Sequence, residues 1–357
     1  MSDGAVGGRA APSLALVAFF FLLTALLHVR TFVVPHVEGD EASYLALSQE
    51  MGWDISHYTT RDHPRVSRFP NSIYRQPLFH HPPLYPLVLK VGAYFGNAVA
   101  AGLLFQLFAM GLLLVYAERA ARRLALSDAG RLMLLTGLLF CPILLFSTTR
   151  LHHDGLLAIF VFAAFTVYLE ALDEQSTAKS VAAGLLFALA LNVRYKGLTA
   201  LPLVLLAQVF SLARARAAAS AAGRPPSEAA RDPRSWRCFA IVSALIALLG
   251  LPHYVRILAT YGSLLPGSFM STAPALAAAN EFLSTVVKRS RLQVFGYLVL
   301  TFPLILAWFS PMNARLLRAE LASWSWRGFH LVAAIYFCAV CLATSHQQLR
   351  YFAVMTP

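Results

Sequence analysis

The segment LALVAFFFLLTALLHVRTFVV, residues 14–34, is followed after two residues by VEGDEASY, residues 37–44. A run of about 20 apolar residues is long enough for one α-helix to cross the hydrocarbon core of a bilayer. Three carboxylates then stand where the chain leaves that helix: Glu38, Asp40 and Glu41. We therefore predict a membrane anchor that is followed at once by an ionisable segment at the membrane surface.

The composition extends this membrane character to the whole chain. Of its 357 residues, 58% are hydrophobic and only 13% are charged, which is more apolar side chain than a soluble domain can bury. We therefore predict an all-α polytopic membrane protein. The net charge of +12 needs no nucleic-acid partner, because basic residues in membrane proteins set orientation and bind lipid head groups. Disulfides are not expected, because every cysteine falls within a predicted span: Cys141, Cys238, Cys338 and Cys341.

The apolar runs predict a short disordered leader, residues 1–12, and one transmembrane domain, residues 13–357. The first span is followed by a polar loop, residues 35–81, with a short interfacial helix over residues 40–53. Further spans are predicted near residues 98–116, 132–146, 155–169, 181–192, 198–212, 238–258, 293–309 and 329–343. The chain stops at Pro357 where another span should begin, so we expect the C-terminus to be truncated.

Basic residues predict the orientation of these spans. A linker over residues 213–237 contains six arginines, and Arg119, Arg122 and Arg123 cluster after the second span. Cytoplasmic loops are enriched in Lys and Arg, so we place both segments inside, although the basic residues of the whole chain divide almost evenly between the two sides. The loop over residues 35–81 then lies outside, where most of the histidines also fall.

The acidic stretch contains the candidate catalytic residues. Asp40 begins a predicted helix and could be a simple N-cap, but a cap does not require Glu38 and Glu41 beside it. Carboxylates that repel one another have raised pKa values, which suits a general base or a cation ligand. We therefore take Asp40 and Glu41 as the candidate catalytic pair.

The segment HHPPLYPL, residues 80–87, is the second signal. Its prolines can simply start a helix. However, His80 and His81 stand at the membrane edge with Arg75 just upstream, and together they would form a good anion site.

Two later segments also place ionisable groups at the ends of spans. TTRLHHD contains Arg150 and Asp154, and NVRYKG contains Arg194 and Lys196. Capping and snorkelling can explain such residues without function, but ionisable groups at membrane spans are costly unless they are used. A divalent metal among the outer histidines and acids stays open. No ligand spacing has the regularity of a zinc site, so no metal ligand is assigned.

Taken in order, these elements resemble the polyprenyl-phosphate-sugar-dependent glycosyltransferases of the GT-C fold. The greatest likeness is to the protein O-mannosyltransferase and lipid A aminoarabinose transferase group. The matching elements are an acidic pair after the first span, a PPLY motif, an arginine-to-aspartate element, VRYKG and a late Arg-Tyr pair. They lie at Asp40-Glu41, Pro82–Tyr85, Arg150–Asp154, residues 193–197 and Arg350-Tyr351, so the likeness covers nearly the whole chain.

The resemblance implies a GT-C-like helical bundle with a large first extracytoplasmic loop that carries interfacial helices. It implies that Asp40 activates an acceptor hydroxyl while basic groups hold the phosphate of a polyprenyl-phosphate sugar donor. The candidate substrate-binding residues are then Arg75, His80, His81, Tyr85, Arg150, Asp154, Arg194, Lys196, Arg350 and Tyr351. The family often has Lys where this chain has His81, whose charge depends on pH.

Two other classes of function stay open at this point. A transporter or lipid flippase would place ionisable groups midway along its spans, whereas most of them here lie at the outer ends, which favours the enzyme. The sequence barely separates the enzyme from a non-catalytic lipid-phosphate binder. The sugar and the acceptor (protein, lipid or polysaccharide) are not indicated. The Ala- and Arg-rich composition favours a bacterial inner membrane, with the endoplasmic reticulum as the eukaryotic counterpart.

Overall fold

The computed structural model describes residues 13–262, except positions 36, 38–39, 56, 62, 64–76, 80, 125, 224 and 226–232. Every regular element in this part of the chain is helical, which confirms the all-α prediction. The helices are α1 (Leu14–Val33), α2 (Asp40–Glu50), α3 (Leu84–Tyr94), α4 (Ala98–Arg123), α5 (Asp128–Leu139), α6 (Pro142–Thr148), α7 (Asp154–Glu174), α8 (Thr177–Val193), α9 (Leu201–Ala221), α10 (Pro233–Leu245) and α11 (Pro252–Tyr261). A 3₁₀ helix, Tyr195–Ala200, joins α8 to α9, and a π-helical segment, Ile246–Gly250, follows α10.

Long apolar helices confirm the polytopic membrane architecture. Among the described residues, the stretches long and apolar enough to cross a bilayer are Leu14–Val33, Ala98–Arg123, Gly155–Glu174 and Tyr195–Ala221. Another span is formed if α10, its π segment and α11 are taken together across a bend of 52°. Helix α8 is apolar but shorter. The predicted leader and the spans near residues 293–309 and 329–343 lie outside the described residues.

Several helix ends differ from the predicted ones. The interfacial helix predicted over residues 40–53 ends at Glu50, and two further differences depend on proline or alanine. The predicted span over residues 132–146 is two helices, because Pro142 has no N–H with which to continue α5 and instead starts α6. The segment 213–237, predicted as a linker, is helical at both ends, since α9 runs to Ala221 and α10 begins at Pro233. Alanine has the highest helix propensity, and it fills most of the last two turns of α9.

Helix α7 is the centre of the bundle. Its spanning window is 89% buried inside the protein, and it packs against α4, α8 and α9. A helix that is apolar on all sides belongs in such a position. Close packing continues between α8 and α10 at Gly184, where a Cβ atom would stand 2.7 Å from Cδ1 of Leu245. Small residues of this kind let two helices approach closely in a membrane protein.

An ion-pair network closes the end of the bundle where α4 and α7 finish. Glu170 of α7 contacts Arg119 of α4 and Lys179 of α8. The remaining pairs of the network are Glu118–Arg122, Glu118–Arg131, Asp128–Arg131, Asp173–Arg123, Asp173–Arg214 and Glu174–Lys179. The basic cluster predicted to face the cytoplasm, Arg119 to Arg123, therefore lies at this end.

Helix α11 braces the opposite end of the bundle. The hydroxyl of Tyr254 donates to the carbonyls of Leu191 and Arg194, at 2.7 and 3.1 Å, and so holds the last turn of α8. In the same helix, Arg256 donates to the carbonyl of Ile55 at 2.8 Å. The hydroxyl of Tyr261 accepts from the N–H of Leu78 at 3.1 Å. It therefore joins the end of α8 to the loop that follows α2.

Candidate active site

Helix α2 brings Tyr44 into the centre of a buried cluster of rings. Tyr44 is 1% exposed, and its hydroxyl lies 2.7 Å from Nδ1 of His153, at the start of α7. The rings of His81 and Tyr85 each lie 5.8 Å from the Tyr44 ring, edge to face. Asp40 begins the same helix, so the acidic stretch, HHPPLYPL and TTRLHHD meet at this point.

An ion pair ties the acidic stretch to the loop before α7. Nε of Arg150 donates to Oε1 of Glu41 at 2.7 Å, and Nη2 donates to Oε2 at 3.4 Å. A two-point contact of this kind fixes orientation as well as charge. The Glu41 side chain is 2% exposed. Because the Glu41 carboxylate is engaged by Arg150, an orienting role suits it better than proton transfer.

Four aromatic rings lie side by side in a row, which we call the ring column. Its members are His152, His153, His81 and Tyr195. The centroids of His81 and His153 are 4.9 Å apart, and those of His81 and Tyr195 are 5.8 Å apart with planes inclined by 29°. His152 stacks on His153 at 4.9 Å. At the other end, the guanidinium of Arg194 lies 5.7 Å from the centroid of Tyr195. Three separate segments therefore place imidazoles and a guanidinium side by side.

The corner between α8 and the 3₁₀ helix holds Arg194 in place. This residue leaves α8 in an extended conformation, with φ −158° and ψ 147°, and it is 2% exposed. Gly197 lets the 3₁₀ helix lie directly on α8, since a Cβ atom there would stand 2.8 Å from the carbonyl oxygen of Ala190. Lys196 is half-buried in the same turn. A buried, backbone-fixed arginine does not snorkel, so the structure favours a functional or packing role for it.

Tyrosine hydroxyls hold the segment that carries His81. The hydroxyl of Tyr58 donates to the carbonyl of Pro82 at 3.1 Å, and the carbonyl of Tyr58 accepts from the N–H of Phe79 at 2.7 Å. Burial raises the pKa of the Tyr58 hydroxyl. Burial also raises the pKa of Tyr85. Both phenols therefore stay protonated across the physiological range.

The neighbouring spans hold the loop before α7. Nε2 of His28, a fully buried residue of α1, lies 3.3 Å from Oγ1 of Thr148. The side chain of Gln106 in α4 donates to the carbonyl of His152. The loop with the two histidines is therefore fixed from both sides by membrane helices.

Many of the residues predicted for the site come to this end of the bundle. The described side chains among them are Glu41, His81, Tyr85, Arg150, Arg194 and Lys196. For two further candidates the structure describes the backbone alone, at the starts of α2 and α7: Asp40 and Asp154. The remaining candidates lie outside the described residues: Arg75, His80, Arg350 and Tyr351.

Several residues of the site had not been chosen from the sequence. His153 and Tyr195 stand inside motifs that had been noted, but nothing in the order of residues ranks them above their neighbours. His28 sits one turn before the end of an apolar helix, and a lone polar residue in such a span is a usable signal. Tyr58 could not be found, because its bond to Pro82 depends on the path of the loop. Among the described residues, no three His, Cys, Asp or Glu side chains are grouped as metal ligands.

Comparison with known families gives one match, over the middle of the chain. Residues 80–222 match the family model described as dolichyl-phosphate-mannose-protein mannosyltransferase. No curated protein and no solved structure matches the chain. The matched segment includes HHPPLYPL, TTRLHHD and NVRYKG, and it agrees with the resemblance to GT-C enzymes predicted from the sequence. Residues 80–222 are thus similar to the mannosyltransferase family, and this similarity supports a membrane glycosyltransferase of that kind.

Proposed function

We propose that the protein transfers a sugar from a polyprenyl-phosphate donor to an acceptor hydroxyl at the extracytoplasmic surface of the membrane. The observation that supports this most is the meeting of four sequence segments at one end of the bundle: DEASY, HPPLY, RLHHD and VRYKG. Tyr44 contacts His81 and His153, and His81 contacts Tyr195. Transfer from a lipid phosphate needs a carboxylate base and cations close to the membrane surface, and these segments bring both residue types to one end of the spans.

Asp40 is the proposed general base. The acceptor hydroxyl must lose its proton as it attacks the anomeric carbon, and a positioned carboxylate can take that proton. Residue 40 begins α2, one turn before Tyr44, so the helix presents the two positions on one face. Glu41, which follows it, is held by Arg150. This division leaves Asp40 as the member of the acidic pair better suited to proton transfer.

Arg194 and His81 are the proposed partners of the departing phosphate. The phosphate gains negative charge as the glycosidic bond breaks, so cations that contact it act mainly in the transition state. A guanidinium keeps its charge at every physiological pH and binds phosphate oxygens in a fork. Arg194 is buried beside Tyr195, and the Tyr195 ring stacks on His81. Further donors are proposed at Arg75, His80, Lys196 and Arg350, with Tyr85, Asp154 and Tyr351 lining the site.

The membrane gives this reaction its location. A polyprenyl chain stays in the hydrocarbon region, so its phosphate lies at the level of the lipid head groups. The ring column lies where α1 ends and α7 begins, at the opposite end of the spans from the ion-pair network. Because basic loops favour the cytoplasm, the ring column is proposed to face away from it. The bacterial inner membrane is the proposed site of action, and the acceptor is a protein, a lipid or a polysaccharide.

Deletion followed by complementation tests the proposed function. Mass spectrometry of proteins, lipids and polysaccharides should show a glycan that is lost on deletion and restored by the wild-type gene. Asp40→Asn protein, expressed at the same level in membranes, should fail to restore it. An unchanged glycan profile after deletion would contradict the proposed function, and restoration by Asp40→Asn would contradict the proposed base.

A further inference from the structure

The ring column contains a pair of imidazoles that differ in exposure. His153 is 1% exposed and lies behind His81, which is half-buried. Their ring centroids are 4.9 Å apart. His153 also lies 2.7 Å from the hydroxyl of Tyr44 through its Nδ1 atom. The pair therefore has a buried member close to a phenol and a more exposed member, His81.

The Tyr44 hydroxyl and Nδ1 of His153 are 2.7 Å apart, and the direction of their hydrogen bond depends on the imidazole tautomer. We infer that the phenol donates to Nδ1, in which case His153 is neutral with its proton on Nε2. Two imidazolium ions at this separation would repel each other strongly. A single additional proton on the pair therefore resides on His81.

The groups around the pair reinforce this arrangement. The titratable or charged side chains described there are Tyr44 from α2, Tyr85 from α3, His152 before α7, and Tyr195 and Arg194 from the corner after α8. Glu41, which pairs with Arg150, also acts electrostatically on Tyr85. The fixed charge of Arg194 near one end of the column opposes a second proton on it.

We propose that His81 is the general acid that protonates the departing lipid phosphate, and that His153, held by Tyr44, is the positioning residue that keeps the proton on His81. This inference rests on the proposed function and adds a chemical step to it. Acid catalysis by His81 differs from simple charge stabilisation, because His81 gives up a proton and must be protonated again in every catalytic cycle.

The step balances in atoms and electrons. The bond between the anomeric carbon and the phosphate oxygen breaks, and its electron pair stays on that oxygen. The acceptor oxygen forms the new bond to the anomeric carbon while its proton passes to Asp40. The proton of the His81 imidazolium passes to the phosphate, so the lipid leaves as a monoanionic phosphate. Asp40 then releases its proton to water and His81 takes one up, which restores the starting state.

The acidities of the two groups suit the transfer. A phosphate monoester has a second pKa of about 6, and an unperturbed imidazole titrates at about pH 6.5. A proton donor is most effective when its pKa lies near the working pH. A lysine at this position would stabilise the charge but would be a weak acid near neutral pH, since its ordinary pKa is about 10.4.

A change of leaving group separates acid catalysis from a structural role of His81. The assay is transfer by purified full-length protein in detergent, with membrane extract of the deletion strain as acceptor. The donors are polyprenyl phosphate mannose and an analogue fluorinated on the lipid next to the phosphate, whose departing phosphate is more acidic. With the ordinary donor, His81→Gln should lose on the order of a hundredfold in turnover, the scale of general acid catalysis. With the fluorinated donor the loss should be much smaller.

Equal losses with both donors would overturn the acid role of His81, whatever the variant does to folding. Absence of transfer by the wild-type protein from any polyprenyl-phosphate donor, including that of the sugar lost on deletion, would overturn the proposed function itself, and the proton transfer with it. The two failures are therefore distinguishable.

A double variant tests the positioning role of His153. Loss of His81 protonation should produce a fall in turnover at high pH. Tyr44→Phe removes the phenol, so His153 competes with His81 for the proton. The fall in turnover should then move to lower pH by on the order of one pH unit. In the double variant Tyr44→Phe/His153→Asn, residue 153 cannot be charged, and the fall should return to its wild-type pH. His63→Gln serves as the control, because His63 bonds Gln49 at 3.2 Å outside the ring column. An acid shift that persists in the double variant would overturn the positioning role.

Discussion

The two ends of helix α7 use polar side chains in opposite ways. At its C-terminal end, Glu170, Asp173 and Glu174 each contact a basic side chain of a neighbouring helix. At its N-terminal end, His153 joins Tyr44 and a column of rings. The two ends are separated by sixteen residues from Asp154 to Glu170, which is about 24 Å of helix. One end is closed by matched charges, whereas the other gathers groups that bind anions or exchange protons.

The difference teaches where function should be sought in a bundle of this kind. Matched ion pairs satisfy one another, so they fix helices in place and leave little for a substrate. Imidazoles and phenols are useful to a reaction because they can exchange protons, and a buried guanidinium is useful because its fixed positive charge can bind an anion. Substitutions at the two ends should therefore affect different properties. Those at the end with the ring column, which we call the Tyr44 end, should lower sugar transfer. Those at the end with the ion-pair network, which we call the Glu118 end, should lower the stability of the fold.

A large effect on transfer, of the same order as that of Asp40→Asn, should come from Arg194→Gln. The substitution removes a buried positive charge proposed to face the departing phosphate, and loss of one such stabilising group typically costs about 100-fold in turnover. Steady-state kinetics with polyprenyl phosphate mannose should show this fall with a rise in donor KM. Arg237→Gln, an exposed arginine that donates to the carbonyl of Gln175, is the matched control. Equal activity of the two variants would remove Arg194 from the site.

A smaller loss should follow from Glu41→Gln. The amide keeps the size of the side chain but weakens the contact with Arg150, so the start of α2 loses part of its orientation. We expect a loss of about tenfold in turnover, below the range of a lost general base. Glu50→Gln at the other end of the same helix should stay within about twofold, the scale of surface changes. A loss for Glu41→Gln as large as that for Asp40→Asn would assign proton transfer to Glu41 instead.

The smallest effect on transfer should come from the ion-pair network. Glu118 has a fully buried side chain that bonds Arg122 and Arg131. Glu118→Gln removes the buried carboxylate that Arg122 and Arg131 share, although Arg131 keeps its contact with Asp128. The loss of these charged hydrogen bonds should lower the free energy of unfolding by about 2 kcal/mol. Transfer per folded molecule at low temperature should be unchanged. A thermal unfolding curve in detergent and an activity assay of the same sample decide the matter; lost activity with unchanged stability would contradict the comparison.

The sequence predicted the fold well because span length and apolar composition depend on local chemistry. Helix α1 ends within one residue of its predicted end, and α2 begins where the acidic stretch suggested a helix start. The break at Pro142 was missed, although proline is a local signal, because the apolar run continues through it. The sequence did not predict that α9 continues through Arg214 and Arg216, because charged residues indicated a loop there. The neighbouring alanines favour a helix instead.

The candidate site was predicted less completely, for a physical reason. Sequence order shows which residue types lie near a membrane edge, so His81, Arg150 and Arg194 could be chosen from their positions at span ends. The partner of each residue depends on how distant segments pack. The Glu41–Arg150 pair joins residues 109 positions apart, as does the Tyr44–His153 bond. Neither contact leaves a trace in local spacing, so the roles of Glu41 and His153 emerge only from the fold.

A pair of matched substitutions at the two ends tests most directly where the chemistry lies. Asp40 and Asp128 each begin a helix, α2 at the Tyr44 end and α5 at the Glu118 end. Asp40→Asn and Asp128→Asn make the same chemical change at the first residue of a helix. The measurement is transfer of sugar from polyprenyl phosphate mannose by the two purified variants. We predict that Asp40→Asn loses about 100-fold or more, as for a general base, while Asp128→Asn stays close to wild type; near-wild-type transfer by Asp40→Asn would contradict a catalytic site at the Tyr44 end.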